Sequence, residues 1–342
     1  MNLLFSILGV AAALIAAGIV YQWLGARSDR RRYAREGRWI DIGNRHRLYL
    51  VEKGSGNPTV VFEAGIAATN LNWFHIQEPV SRFAATVSYD RGGLGWSSPA
   101  NTARTPSNIS AELHRLLEAA DIKLPYILVG HSFGGLVMRR FALNYPEEVA
   151  GMVLVDPMRC EEWPPLDPSK QSELNRGRNL FRIAIPAARI GLARLAVTSL
   201  LMRSGRTAHR LAGVAGKGGQ HVLSRIKDEV GKMPPEVWPI IAAHWSRPGN
   251  FAGMRNHVEA VPDTVLEMQN AKPIQNIPVL VLTPGKSTPL SGEYLGRIGN
   301  NVQQVVAPES AHWIHLDQPD LVIDSIRKMV ISAAAEPMSA TG

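Results

Sequence analysis

The sequence predicts an α/β fold, a mostly parallel central sheet with helices on both faces, interrupted by an inserted helical block and preceded by an apolar helix. Three observations carry this. Short continuous apolar runs, Thr59-Val60-Val61-Phe62 and Gly151-Met152-Val153-Leu154-Val155, fit strands covered on both faces. They alternate with segments of helical spacing, such as Ser107 to Ala120 with Ile109, Leu113, Leu116 and Leu117. Between two such pieces, Tyr126 to Met138 reads as an apolar strand, a Gly130-His131-Ser132-Phe133-Gly134 turn and a helix in direct succession.

That turn is the candidate chemical centre. A serine at the tip of a strand-to-helix turn takes a strained backbone conformation, tolerable only if Gly130 and Gly134 carry no Cβ to meet the neighbouring strand and helix. The Ser132 hydroxyl is then presented outward. The N–H of Phe133, at the positive end of the following helix, points at any oxyanion formed beside it.

Composition limits the alternatives. A chain of 342 residues with 45% hydrophobic content can bury a large core and still carry an insertion. The single cysteine, Cys160, excludes an intramolecular disulfide framework. Of the net charge of +8, the interval from Lys170 to Arg210 holds nine Lys/Arg against one acid, Glu173. Such asymmetry points to an anionic surface as neighbour. No nucleic-acid-binding pattern accompanies it, so nucleic acid is not expected as a partner.

Taken in order, residues 1–26 carry no charged side chain, and Leu3 to Val20 is apolar but for Ser6. Eighteen helical residues span about 27 Å, close to the hydrocarbon thickness of a bilayer, with Tyr21 and Trp23 where an interfacial aromatic belt belongs. The sequence therefore predicts a single-pass transmembrane anchor over 1–26. A cleaved signal peptide is the alternative, opposed by the missing basic n-region and the length of the apolar run. A basic linker follows over 27–38, with Arg27, Arg30, Arg31, Arg32 and Arg35. By the positive-inside rule the catalytic body then lies on the cytoplasmic side.

From Trp39 the chain reads as short strands, Trp39 to Ile42 and Arg47 to Val51, joined by a Gly43-Asn44 hairpin turn. After the Thr59 strand comes Glu63-Ala64-Gly65-Ile66-Ala67-Ala68-Thr69. If that strand lies beside the Ser132 strand, the Ile66 N–H is the second oxyanion donor and Gly65 permits close backbone approach. The strand Ala85 to Tyr89 ends in Asp90-Arg91-Gly92-Gly93-Leu94-Gly95-Trp96-Ser97, where Asp90 and Arg91 read as turn-forming residues. The α/β core is expected over 39–157 and 270–332, a helical lid over 158–269, and a disordered tail over 333–342. Within the lid lie the basic, apolar segment Leu180 to Arg203 and a Gly213 to Gly219 link.

A serine hydroxyl needs a base to take its proton, and the base needs a third group to fix its tautomer. His312 follows the last strand, Val302 to Val306, and precedes the last helix, where chain order places the base. His315 is the competing histidine.

With these pieces in order, the chain resembles the α/β-hydrolase superfamily from about residue 39 to 332, and looks most like its membrane-anchored bacterial serine hydrolases. The resemblance rests on Glu63 to Ile66, Tyr89 to Ser97, Gly130 to Gly135 and Ser310-Ala311-His312. It implies a Ser-acid-His triad needing no metal or organic cofactor, with a serine elbow that sets the chain apart from the aspartate-bearing dehalogenases and epoxide hydrolases. One departure leaves the acid open. Most members place it after the strand matched here by Val279 to Leu282, where this chain reads Gly285-Lys286-Ser287-Thr288. Asp156 is the substitute, because relatives with the acid on that strand still reach the same histidine, and Glu293 is the reserve. The expected activity is hydrolysis of esters of small or lipophilic acyl groups. A carbon–carbon bond hydrolase, an amidase and a non-catalytic binding protein on the same fold are the alternatives. The expected partners are a small ester substrate and the membrane, reached through the N-terminal helix and also through the basic lid.

Overall fold

The computed structural model describes residues 2–160, 168–202, 230–285 and 290–335. It divides into two compact units, Met1–Glu36 with Asn175–Arg255, and Gly37–Leu174 with Asn256–Gly342.

The second unit is built on an eight-stranded sheet among the described residues. Its strands are β1 (Arg38–Asp41), β2 (Arg47–Lys53), β3 (Thr59–Glu63), β4 (Ala85–Asp90), β5 (Tyr126–His131), β6 (Val149–Val155), β7 (Val279–Pro284) and β8 (Val302–Ala307). They lie in the order β1-β2-β4-β3-β5-β6-β7-β8. β1 and β2 form the expected hairpin and β2 meets β4 antiparallel, while every pairing from β4 to β8 is parallel. β3 and β5 are buried along their whole length, which is why they read as unbroken apolar runs.

Side chains alternate across the sheet and so feed two cores. On one face Val61, Leu128 and Leu154 pack with Leu113, Leu116 and Leu117 of α3 (Pro106–Ala119) and with Met138 and Phe141 of α4 (Phe133–Asn144). On the other, Phe62, Val129 and Val153 pack with Ile76 and Val80 of α2 (Phe74–Val80) and with Val322, Ile326 and Met329 of a C-terminal helix, Pro319–Ala335. Each fully buried Val, Leu, Ile, Phe or Met contributes about 1.5–3 kcal/mol by leaving water. The sequence reading did not anticipate α2, where Pro79 sits inside the helix and masks its signal.

The first unit contains α1 (Asn2–Tyr33), most of α5 (Pro168–Arg189), α6 (Leu192–Met202), α7 (Trp238–Trp245) and most of α8 (Pro248–Glu259). α1 runs past residue 26 and on through the arginines to Tyr33, because nothing between Gly25 and Tyr33 breaks a helix and arginine is a good helix former. It is long and apolar enough to cross a membrane, with a mean hydropathy of 2.6 over its most apolar window and none of that window buried. The segment read as Leu180 to Arg203 is two helices, divided at Gly191, whose φ of +76° favours glycine. α9 (Val261–Met268) returns to the second unit, where Val261, Val265 and Met268 pack on Leu136 and Cys160. α10 (Gly292–Ile298), α11 (Ile314–Asp317) and α12 (Pro319–Ala335) complete it. The Gly213 to Gly219 link, the residues Lys286 to Thr288 and the end of the C-terminal tail lie outside the described residues.

Candidate active site

The parallel strands β3, β5 and β6 end side by side, with Glu63 opposite Gly130 and His131 opposite Val155. Their C-terminal loops therefore converge on the turn at Ser132. Ser132 has φ +53° and ψ −120°, the strained conformation expected of it. The two flanking glycines are required by space: a Cβ on Gly130 would lie 2.7 Å from the Gly134 carbonyl oxygen, and one on Gly134 would lie 2.5 Å from the carbonyl oxygens of both Glu63 and Ala64. The turn is fixed by main-chain bonds, Ser132 donating to Val155 at 3.0 Å and accepting from Gly135 and Met158 at 3.0 Å each.

Asp156 follows β6 directly. Its N–H donates to Leu282 of β7 at 2.8 Å, and its φ is +40°. Its carboxylate oxygen Oδ2 lies 2.7 Å from Nδ1 of His312, which enters from the loop after β8. A carboxylate accepts only, so Nδ1 carries the hydrogen and Nε2 is left with its lone pair. Glu293 is far more exposed; on α10 it pairs with Arg297 one helical turn on, at 2.6 Å. The other histidine of the motif, His315, is fully buried and packs at a tilt against Trp73 with ring centroids 4.9 Å apart.

His131, between Gly130 and Ser132, ties the His312 loop to the turn. Its Nε2 is 3.0 Å from the His312 carbonyl oxygen, and its ring packs among His312, Trp313 and His315 at 4.7, 5.0 and 4.3 Å. Burial, and then the neighbouring imidazoles of His315 and His312, hold its pKa well below the usual imidazole value. The ring is therefore neutral, and because a carbonyl can only accept, Nε2 is the protonated nitrogen.

Phe133 opens α4, where first-turn amides have no partner within the helix ladder. Ile66 lies on the loop after β3 and packs in one apolar cluster with Phe133, Val137 and Ile109. That loop comes so near the turn that a Cβ on Gly65 would sit 2.9 Å from His131 Nδ1 and 3.6 Å from Ser132 Cβ. Beneath it lies a buried polar group that sequence reasoning passed over. Arg91 donates to the Gly65 carbonyl, its Nη1 is 3.5 Å from Glu63 Oε1, and its guanidinium carbon sits 5.2 Å from the centre of the Phe133 ring. Tyr89 donates its hydroxyl hydrogen to Glu63. Burial raises the Glu63 carboxyl, against the pull of Arg91 and Tyr89, and lowers the Arg91 guanidinium. Asp90 plays the turn-forming role expected of it, accepting from the amides of Asn70 at 3.1 Å and Trp96 at 2.8 Å. Among the described residues, no group of three or more His, Cys, Asp or Glu side chains is placed to hold a metal ion.

The strand order, the strained serine between β5 and α4 and the histidine loop after β8 are those of one fold family, and its family model, described as alpha/beta hydrolase fold, matches residues 58–192. The chain has the α/β-hydrolase fold. The protein YqjL of Bacillus subtilis is 37% identical over 105 residues, covering 31% of this chain and 42% of that protein. A superfamily protein of Gibberella zeae is 32% identical over 126 residues, covering 34% of this chain and 39% of that protein. The chain thus spans about two fifths of the length of the curated relatives it matches. Solved hydrolase-fold structures align far more widely. A thermophilic esterase from Thermogutta terrifontis superposes with a TM-score of 0.56 at 21% identity, covering 87% of this chain and 98% of its own. Est816, described as an N-acyl homoserine lactone degrading enzyme, superposes with a TM-score of 0.58 at 18% identity, covering 85% and 99%.

Proposed function

We propose that the protein is a membrane-tethered serine hydrolase that cleaves carboxylic esters of small or lipophilic acyl groups. The observation that carries this reading is the 2.7 Å contact of His312 Nδ1 with Asp156, on a loop that His131 binds to the residue next to Ser132. It orients one imidazole with its free Nε2 available to a serine hydroxyl.

In this reading the Ser132 oxygen attacks the ester carbonyl carbon while His312 Nε2 takes the hydroxyl proton. The oxyanion of the tetrahedral intermediate is held by the amides of Phe133 and Ile66. The intermediate collapses, His312 gives its proton to the departing alcohol, and an acyl-serine remains. Water then attacks the acyl carbon, His312 takes its proton, and collapse returns the proton to Ser132 with release of the acid. Asp156 keeps the imidazole in the required tautomer and steadies its positive charge. The esterase and the lactone-degrading enzyme among the structural neighbours favour a carboxylic ester as the substrate class.

The tether is α1, whose apolar stretch is unburied and whose continuation is basic. The decisive experiment treats the full chain in detergent with a fluorophosphonate probe and then with p-nitrophenyl esters of graded chain length. Labelling that disappears in Ser132→Ala, together with ester turnover, is expected. Folded protein whose Ser132 does not react would overturn the hydrolase reading in favour of a binding protein.

A further inference from the structure

Within the first unit α1 is more than a leash, because the corner between α5 and α6 is built onto it. At Gly18 of α1, a Cβ would lie 2.2 Å from the carbonyl oxygen of Ile190, and a Cβ on Gly191 would lie 2.8 Å from the carbonyl oxygen of Gly18 and 2.9 Å from Tyr21 Cδ1. One turn on, the buried Gln22 donates to the Ser246 carbonyl at 2.9 Å and accepts from Arg194 Nε at 3.0 Å. A further turn on, a Cβ at Gly25 would lie 2.8 Å from the Arg194 guanidinium, whose Nη1 meets Asp29 Oδ2 at 2.6 Å. Two helices approach this closely only where small residues face the contact.

These contacts fix a register. The connection between α5 and α6, Ile190-Gly191, lies level with Gly18, and Arg194 of α6 reaches Asp29 toward the basic end of α1. Gly18 is two residues, about 3 Å, inside the end of the apolar stretch Leu3 to Val20. On the two helices that meet there, apolar side chains are exposed: Ile183 is 71% exposed, Leu192 54% and Leu195 52%. Arg182 and Arg189 are exposed among them, and Trp23 and Leu24 of α1 line a surface groove with Arg27, Arg31, Arg32 and Arg35.

Resting on the reading of α1 as a membrane span, we propose that the α5–α6 corner is a second membrane-contact element, seated in the interfacial layer of a bilayer beside α1. Leu192 and Leu195 enter the acyl border, and Arg182 and Arg189 reach the phosphates of anionic lipids. The occupant is phospholipid because the exposed Leu192 directly follows Gly191, which abuts Gly18 near the end of the unburied apolar stretch of α1, at the depth where hydrocarbon gives way to headgroups. The arginines supply the charge complement.

The test uses the full chain in nanodiscs of phosphatidylcholine with phosphatidylglycerol. Cys160 is the only cysteine, so in a Cys160→Ala background one nitroxide label at a time can be placed through Leu8→Cys, Leu192→Cys, Leu195→Cys or Glu147→Cys. Collision with oxygen, which concentrates in acyl chains, is compared with collision with a water-soluble nickel chelate. The expected result is an oxygen-to-nickel ratio at Leu192 and Leu195 several-fold above that at Glu147 and approaching that at Leu8. Water-like values at Leu192 and Leu195 with an oxygen-rich Leu8 would overturn this proposal and leave the anchor reading intact. A water-like Leu8 would remove the span, and this proposal with it. Low collision with both reagents at Leu192 and Leu195 would mean that a second protein surface covers them, which also overturns it.

Discussion

Arg91 donates a hydrogen bond to the carbonyl of Gly65, and that carbonyl shares its peptide plane with the N–H of Ile66. A guanidinium on one end of the plane fixes where the other end points and polarises it. The same oxygen also accepts from the Ala68 amide at 3.2 Å, closing the loop on itself. Because Arg91 also packs under the ring of Phe133, one buried cation touches Phe133 and the peptide plane that carries the Ile66 amide, and the amides of these two residues are those proposed to hold the oxyanion.

Arg91→Met is therefore expected to lower kcat about 10- to 100-fold with little change in KM, less than the roughly 10²–10³-fold seen when an oxyanion donor is removed outright. Removing the cation also leaves Glu63 buried and unpaired, which costs on the order of 3–5 kcal/mol of stability. The double variant Glu63→Gln/Arg91→Met separates the two effects. Its thermal midpoint should recover while kcat stays low, and affinity for a boronic-acid inhibitor should fall with kcat. Recovery of kcat along with stability would reduce Arg91 to a packing residue.

Asp156→Asn is expected to slow ester hydrolysis by about 10⁴-fold, the scale on which a triad aspartate matters when its amide leaves the imidazole in the wrong tautomer. Glu293→Gln, on the solvent-facing side of α10, is expected to leave kcat within about twofold. Steady-state kinetics on one p-nitrophenyl ester decides the matter, and the reverse ranking would move the acid to Glu293.

The glycine requirement can be tested by stability. A Cβ at position 134 would press on two main-chain oxygens of β3 and its loop, which cannot swing aside as a side chain can. Gly134→Ala should destabilise the core by about 1–3 kcal/mol, read from urea unfolding, whereas Gly296→Ala, with nothing within 4 Å, should not destabilise it.

The turn at Ser132 was legible because its small residues and the strand and helix around it are neighbours in sequence. His312 was singled out from chain order, in a loop between a strand and a helix. Its contact with Asp156 was not legible, because it depends on β6 lying beside β7 in register, Val155 opposite Leu282, which no local pattern states. Arg91 was ambiguous for a related reason: a turn residue and a loop-positioning residue have the same local signature, and only burial beside Glu63 and Gly65 tells them apart. α2 hid behind Pro79 although Trp73, Ile76 and Val80 already stand at helical spacing. The pairing of Gly18 with Ile190 and of Gly25 with Arg194 spans more than 160 residues, as does the Arg194–Asp29 bond, and has no local trace.

The last prediction concerns pH. His131 is held well below the usual imidazole value by burial and its histidine neighbours, and His244 in the first unit is pushed down to about 3 by burial and by Arg247. Both are neutral when folded, while in the unfolded chain each titrates near 6.5. Below that pH the unfolded state binds more protons, so stability present above about pH 6.5 is lost as pH falls, by about 1.4 kcal/mol per pH unit for each such group until its folded pKa is reached. Guanidinium unfolding of the full chain in detergent between pH 7.5 and 4.5 should show this decline. In His131→Gln, the amide nitrogen can still reach the His312 carbonyl but does not titrate. This variant should start less stable at pH 7.5 and decline less steeply, by about one group's share of the slope. Parallel curves for the two proteins would mean that His131 takes up its proton without opening the loop, and that the hydrogen bond to His312 does not depend on a neutral ring.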